Sequence, residues 1–185
     1  MFRELLLRRV SPFCELSAAQ LDQLQQHYEL MVRWNKTINL TRIEAVEDAV
    51  DRHYAESLFL ASKLPPGALR IADVGSGAGF PGFPVAVLRP ECSVTLIESH
   101  KRKAVFLKQA CRSLSNVTVL AQRAEDVTEV FDWVVSRAVS WEDLQKFASR
   151  LAPKLALLGN FPPGTAKTVI PLPWVSRETS ALVLA

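Results

Sequence analysis

At 185 residues, 49% of them hydrophobic, the chain suffices for one domain with a sizeable core and a modest extension. Its net charge of +3 permits a polyanionic partner without demanding one. No apolar run approaches the ~20 residues that span a bilayer, and Met1-Phe-Arg-Glu-Leu-Leu-Leu-Arg-Arg9 lacks the apolar stretch and cleavage site of a secretory signal, so a cytoplasmic protein is expected.

Residues 16–63 predict two helices. Ser17-x-x-Gln20 is a capping-box signature, after which Leu21, Leu24, Tyr28, Met31, Val32 and Asn35 recur at helical spacing. The chain breaks at Asn39-Leu-Thr41, and Thr41-x-x-Glu44 offers a second box. Val46, Val50, Tyr54, Leu58 and Ala61 then carry an apolar stripe to the stop at Pro65-Pro66-Gly67. From residue 69 short apolar strands (70–74, 93–97, 117–120, 131–136, 154–158) alternate with helical stretches (82–89, 101–114, 141–151), the pattern of a parallel sheet covered by helices. Prolines interrupt the sequence after Gly159, leaving room for two short strands near 166–171 and 180–184. Residues 1–66 are therefore expected to form a helical extension and 67–185 an α/β core, together one globular unit. Cys14, Cys92 and Cys111 are scattered, without a C-x-x-C, and point to reduced, mostly buried thiols rather than a disulfide framework or a metal site.

The stretch Ile71-Ala-Asp-Val-Gly-Ser-Gly-Ala-Gly-Phe-Pro-Gly82 carries the most information. An apolar run ending in an acid, Asp73, is followed by glycines at 75, 77 and 79, and a second acid, Glu98, closes the next apolar run. Such a strand-to-helix turn lets a ligand lie on bare main chain, while a carboxylate roughly 20 residues on can hold ribose hydroxyls. A side chain at Gly75 is expected to enter the ligand's volume. The G-x-G-x-G spacing departs from the dinucleotide pattern and resembles the form of S-adenosylmethionine-dependent methyltransferases.

Six ordered blocks extend the resemblance: Trp34-Asn-Lys-Thr-Ile-Asn-Leu-Thr41, Arg52-His53, Asp73 to Gly82, Lys101-Arg-Lys-Ala-Val-Phe-Leu107, Arg123-Ala-Glu-Asp126 and Ser136-Arg-Ala138. Over about residues 16–159 the chain resembles the bacterial small-subunit ribosomal RNA methyltransferase G family, also called glucose-inhibited division protein B. The resemblance implies a Rossmann-like class I S-adenosylmethionine-dependent methyltransferase, with an antiparallel last strand in a parallel sheet. It implies methylation of N7 of a guanine in 16S rRNA of the small ribosomal subunit.

Carried over block by block, Gly75 and Phe80 would line the turn side of the cofactor, Glu98, Ser99 and His100 its ribose and adenine edge, and Ala124 and Glu125 would flank the adenine. Arg137 would face the methyl-transfer pocket as a positioning group. No acid or base is assigned, because N7 carries no proton and Ser136-Arg-Ala-Val replaces the loop of amine methyltransferases. Lys36, Lys101, Arg102, Lys103 and Arg123 are candidate phosphate contacts, with Arg33, Arg42 and Arg52 extending the track. Trp34 and Trp141 are read as packing residues in preference to base-stacking ones, and His27 and His53 as helix-packing or surface residues.

The chain departs from the family at Leu157-Leu158-Gly159, where a lysine usually precedes the glycine, and in a shorter segment beyond it. Arg137, Lys154 or Lys167 could supply the missing charge. Nothing in the sequence requires more than a monomer. Two further readings stay open: a methyltransferase of a small molecule, and a non-catalytic ribosome-assembly factor that binds the same cofactor.

Overall fold

In the computed structural model the first apolar strand becomes the axis of a mixed seven-stranded sheet. The structure describes all residues except 44, 138, 160–163, 165–167, 175–180 and 185. The helical front begins with α1 (Phe2–Val10), which the sequence reading does not anticipate. Phe2, Leu6 and Val10, four residues apart, fall on one face and are buried; the arginines that obscured this stripe lie on the others. Helix α2 (Ala18–Ile38) opens on the expected capping box: Ser17 Oγ accepts from Gln20 N–H at 3.2 Å and Gln20 Oε1 accepts from Ser17 N–H at 2.9 Å. Its buried face is Leu21, Leu24, His27 and Met31, whereas Val32 turns to solvent.

The second box does not form. The next helix starts at Val46, with Ala45 at its cap position and no side-chain cap, and Glu44 lies outside the described residues. Thr41 Oγ1 instead accepts from Ile43 N–H and meets His53 Nε2 at 2.8 Å. The expected single helix is three pieces: α3 (Val46–Ala49), a wide π turn (Val50–Ala55) and α4 (Glu56–Lys63).

The core then alternates as expected through β1 (Arg70–Val74), α5 (Gly82–Leu88), β2 (Ser93–Ile97), α6 (Lys101–Ala110), β3 (Val117–Leu120), β4 (Trp133–Arg137), α7 (Trp141–Gln145), α8 (Ala148–Leu151), β5 (Leu155–Gly159), β6 (Thr168–Pro171) and β7 (Ala181–Leu184). Helix α6 ends four residues earlier than its pattern suggests, and the 141–151 stretch breaks between α7 and α8 around Lys146 and Phe147. Sheet order is β3-β2-β1-β4-β5-β7-β6, with only β7 reversed against its neighbours. Residues 166, 167 and 180 of the two anticipated final strands lie outside the described residues.

Each central strand is buried on both faces, and side-chain alternation divides the core in two. Ile71, Val94, Leu96 and Val135 join the helical front, α5 and α6 in the larger cluster. Ala72, Val74, Ile97, Val134 and Leu157 face Leu144 of α7, Leu151 of α8 and Phe147 between them. The front packs directly on the core, α2 against α5 and α6, and α4 against α5. Arg89 secures the crossover by donating to the carbonyls of Pro65 (2.9 Å) and Gly67 (3.1 Å). Cys92 and Cys111 are buried and Cys14 half-buried; all three are free thiols.

Candidate functional site

The strand order reverses between β1 and β4, and a crevice opens at their carboxyl ends, the place where open α/β sheets take ligands. A cleft of about 380 Å³ lies there, lined on one side by Gly75, Ser76, Gly77, Ala78 and Phe80 and on the other by Arg137 and Val139. Leu40, Thr41, Arg42 and Ile43 from the front, with Arg52, His53 and Lys103, complete its wall.

The turn between β1 and α5 is fixed from beneath. Gly75 and Ser76 N–H both donate to Ile97 O, at 3.0 and 3.2 Å, and Ser76 Oγ donates to Asp73 O. Gly75 (φ +71°) and Gly79 (φ +96°) occupy backbone conformations that favour glycine. A Cβ at Gly75 would lie 2.7 Å from Val139 Cγ2. A side chain there would therefore press on the segment after β4, beside the cleft that Gly75 lines. Asp73 shares the sheet face of Ile71 and accepts from Gly82 N–H at 2.9 Å, tying the start of α5 to β1. It is fully buried, its Oδ1 has no hydrogen-bond partner, and burial pushes its pKa up to about 7.

Glu98 is buried at the end of β2. Its carboxylate accepts from Gly77 N–H at 2.8 Å and from His100 N–H at 2.7 Å, so one side chain sets both the glycine turn and the entry to α6. A carboxylate has about four lone-pair sites, which leaves room for hydroxyl donors. Ser99 and His100 are exposed beside it. Ala124 is buried and Glu125 exposed on a single 3₁₀ turn, Ala124–Asp126, that follows β3. Gly75, Phe80 and Arg137 thus share the cleft wall, whereas Glu98, Ser99, His100, Ala124 and Glu125 cluster beyond β2 and β3 and do not line it.

Phe80 is buried; its ring stacks on His53 at 4.5 Å and meets Tyr54 edge-on. Arg137 lines the cleft with its fork engaged. It donates to His53 Nδ1 (2.6 Å) and to Arg52 O, and its Nε lies 3.8 Å from Glu56. Because an arginine can only donate, His53 Nδ1 accepts and Nε2–H donates to Thr41 Oγ1. Burial and the adjacent Arg137 push His53 down to about 3, and burial raises Glu56 to about 7 against the opposing pull of Arg137.

His27, expected to pack on its helix or lie at the surface, is a packing residue of α2. It is fully buried, donates from Nε2 to Ala78 O (3.0 Å), accepts from Tyr54 O–H (2.7 Å) at Nδ1, and stacks on Phe83 at 4.0 Å. Its spacing, three after Leu24 and four before Met31, was the available signal. Val139 and Thr41 were missed as cleft residues, since loop proximity has no local signature.

Of the basic candidates, Lys101 and Arg102 are exposed in the first turn of α6, Lys36 is exposed in the last turn of α2, and Arg123 is exposed before the 3₁₀ turn. Lys103 is half-buried in the cleft wall. Arg33, Arg42 and Arg52 are exposed, the last two lining the cleft. Lys154 cannot replace the absent lysine: it precedes β5, at the amino ends of the strands and so away from the cleft, with Nζ over the Trp133 ring. Lys167 lies outside the described residues. Leu158 itself is buried in the larger core. Trp34 packs edge-on against Phe106, and Trp141 packs partly against the smaller core.

Solved structures of similar shape include a coclaurine N-methyltransferase bound to N-methylheliamine and SAH, with a TM-score of 0.52, 16% identity, and coverage of 85% of this chain and 57% of that one. Another is the magnesium protoporphyrin IX methyltransferase of Synechocystis PCC 6803 with bound SAH, at TM-score 0.53, 16% identity and 72% of each chain. At that identity these show the fold alone, α/β and Rossmann-like. Proteins named ribosomal RNA small subunit methyltransferase G are far nearer in sequence. That of Halorhodospira halophila is 44% identical over 129 residues, covering 68% of this chain and 61% of that protein. That of Nitrosomonas europaea is 45% identical over 132 residues, covering 69% and 59%. The chain spans about three fifths of the length of these curated relatives. The model of the GidB family, rRNA small subunit methyltransferase G, matches residues 20–160, from the first turn of α2 through the glycine turn to the end of β5, and the chain belongs to that family.

Proposed function

We propose that this protein transfers a methyl group from S-adenosylmethionine to N7 of a guanine in 16S rRNA of the small ribosomal subunit. The observation that carries this reading is the cleft at the β1–β4 switch point, where bare main chain at Gly75 faces a wall containing Arg42, Arg52, Lys103 and Arg137. Its volume suits a small ligand. The fit of a nucleoside-bearing donor rests on two features. Gly75 is exposed without a side chain, and the buried Glu98 carboxylate keeps spare acceptor positions beside the turn. Gly75 and Phe80 would hold the methionine side, Glu98, Ser99 and His100 the ribose edge, and Ala124 and Glu125 the adenine.

S-adenosylmethionine supplies an electrophilic methyl group on a sulfonium when bound. Guanine N7 presents a lone pair and no proton, so the protein has to align the partners and exclude water rather than remove a proton. The cleft agrees with that demand. His53, the only histidine among the described residues lining it, has both ring nitrogens committed, one to Arg137 and one to Thr41, and stays neutral at physiological pH. Arg137, held on three sides, offers a fixed cationic edge that orients an incoming base or phosphate rather than a mobile one.

Approach of RNA is electrostatic. Lys101, Arg102 and Lys103 crowd the first turn of α6, which contains no acid. Positive side chains at the positive end of a helix oppose its dipole, an arrangement that an anionic partner relieves. Lys36 and Arg123 extend the basic surface, and among the described residues none of these five is held in an ion pair. We assign the protein to the cytoplasm, where a ribosomal substrate is found, and read it as a monomer. Among the described residues no helix is long and apolar enough to cross a membrane.

The test is to incubate purified protein with methyl-labelled S-adenosylmethionine and small subunits that lack the modification. Label recovered in 16S rRNA as 7-methylguanine is the expected result. Transfer to small molecules alone, or cofactor binding with no transfer, would overturn the reading.

A further inference from the structure

The 3₁₀ turn after β3 is held from outside by one side chain. Arg150, on the exposed face of α8, donates from Nη2 to Glu125 O at 2.7 Å and to Ala124 O at 3.3 Å, and from Nη1 to Val127 O. Two carbonyls of the turn and that of the residue capping it thus converge on one guanidinium. Within the turn, the N–H of Asp126 bonds Arg123 O (3.1 Å) and that of Val127 bonds Ala124 O (3.3 Å). A helical turn leaves its last carbonyls and its first N–H groups without partners. Arg150 takes up the Glu125 and Val127 carbonyls and shares that of Ala124, and among the described residues the turn's opening N–H groups, at Ala124 and Glu125, have no main-chain acceptor.

The placement of Arg150 is itself fixed. Phe147 and Leu151 on either side of it are buried in the smaller core, and Arg150 N–H donates to Phe147 O at 3.1 Å. Ala124 and Val127 are buried in the same core, so α8 and the turn share one packing layer. No carboxylate pairs with Arg150 among the described residues, and its two Nη groups donate to main-chain oxygens. A planar fork suits that task and an ammonium does not.

We propose that Arg150 is a positioning residue for nucleoside recognition: by clamping the carbonyls of Ala124, Glu125 and Val127 it presents the 124–125 main chain to the base of the bound nucleoside. This rests on the functional reading above, which places the adenine against that turn. Arg150 touches neither ligand nor reacting atoms and acts through the turn.

The experiment is calorimetric titration of the full chain with S-adenosylhomocysteine and with its inosine counterpart, S-inosylhomocysteine, for wild type, Arg150→Ala and Arg150→Lys. Wild type is expected to favour the adenine form at least tenfold. Arg150→Ala should weaken S-adenosylhomocysteine about tenfold, leave S-inosylhomocysteine within about twofold, and so nearly abolish the preference; Arg150→Lys should recover only part of it. Equal weakening of both ligands, or no weakening of either, overturns the positioning role, since a merely structural arginine would not alter the ratio between bases. A wild type that binds both forms equally also overturns it. A wild type that binds neither overturns the cofactor reading instead, and the proposal with it. Hydrogen exchange should report faster opening at residues 124–127 in Arg150→Ala, with protection of β1 and α5 unchanged.

Discussion

Burial moves Asp73 and His27 in opposite directions on the pH scale, and the two have opposite consequences for stability. Asp73 titrates near 7 in the fold against 3.8 ordinarily, and burial also raises Glu56 to about 7. Between those limits the folded state keeps a proton that the unfolded chain has lost, so each acid's contribution declines as pH rises. His27 and His53, lowered from 6.5 to about 3, behave in reverse: the unfolded chain takes up protons that the folded state refuses, so their contribution is lost as pH falls below 6.5. Replacing Asp73 by Asn removes one declining component while preserving an acceptor for Gly82 N–H. Relative to wild type, Asp73→Asn should gain about 1.4 kcal/mol per pH unit between roughly pH 4 and 7 and then level off. Urea denaturation at pH 5, 6 and 7 checks this; parallel wild-type and variant curves would show that Asp73 is charged throughout.

At the scale of elements, the helical front and the glycine turn meet at one ring. His27 of α2 reaches Ala78 O and Tyr54 O–H, and a Cβ at Gly79 would lie only 3.2 Å from its Nε2. His27→Phe keeps a flat ring in that aromatic cage but leaves the Ala78 carbonyl and the Tyr54 hydroxyl without their partner. Each unsatisfied buried group costs about 1–3 kcal/mol, so a loss of about 2–4 kcal/mol in urea unfolding is expected, with exchange accelerated at residues 76–80 before the rest of the sheet. Uniform acceleration across the sheet would mean that the front does not brace the turn. The π turn serves the same junction, since Tyr54 and His53 both leave it toward Phe80. Its irregular register escapes a reading that counts threes and fours.

Across the whole molecule, the cleft wall and the start of α6 form one basic approach to the switch point. Lys101→Glu combined with Arg102→Glu reverses two exposed charges outside the cleft wall. This variant should bind 16S rRNA fragments more weakly at every salt concentration, with the log–log salt slope reduced by about 0.7–0.9 per lost phosphate contact, while S-adenosylhomocysteine affinity stays within about twofold. Filter binding from 50 to 300 mM salt reads the slope, and an unchanged slope would return α6 to the role of a solvated helix face.

Much of this architecture was legible in the chain because it rests on short-range rules. Alternating apolar strands and helices foretold β1–β5 to within a residue or two, Ser17 and Gln20 marked the start of α2, and the glycines with Asp73 and Glu98 marked the turn. The six family blocks carried membership of the methyltransferase G family, which the match over residues 20–160 establishes. Helix α1 was hidden because Arg3, Arg8 and Arg9 dilute a stripe of only three buried residues, and Thr41 read as a cap because its bond to His53 spans twelve positions. The tertiary structure alone decided which distant groups share space: that Arg137 is locked by His53, Glu56 and Arg52, that Lys154 lies over the Trp133 ring at the amino ends of the strands, and that Arg150 closes on the turn at 124–127. Backbone periodicity is written locally, whereas hydrogen bonds between residues twenty or more positions apart exist only once the packed sheet has brought them within reach.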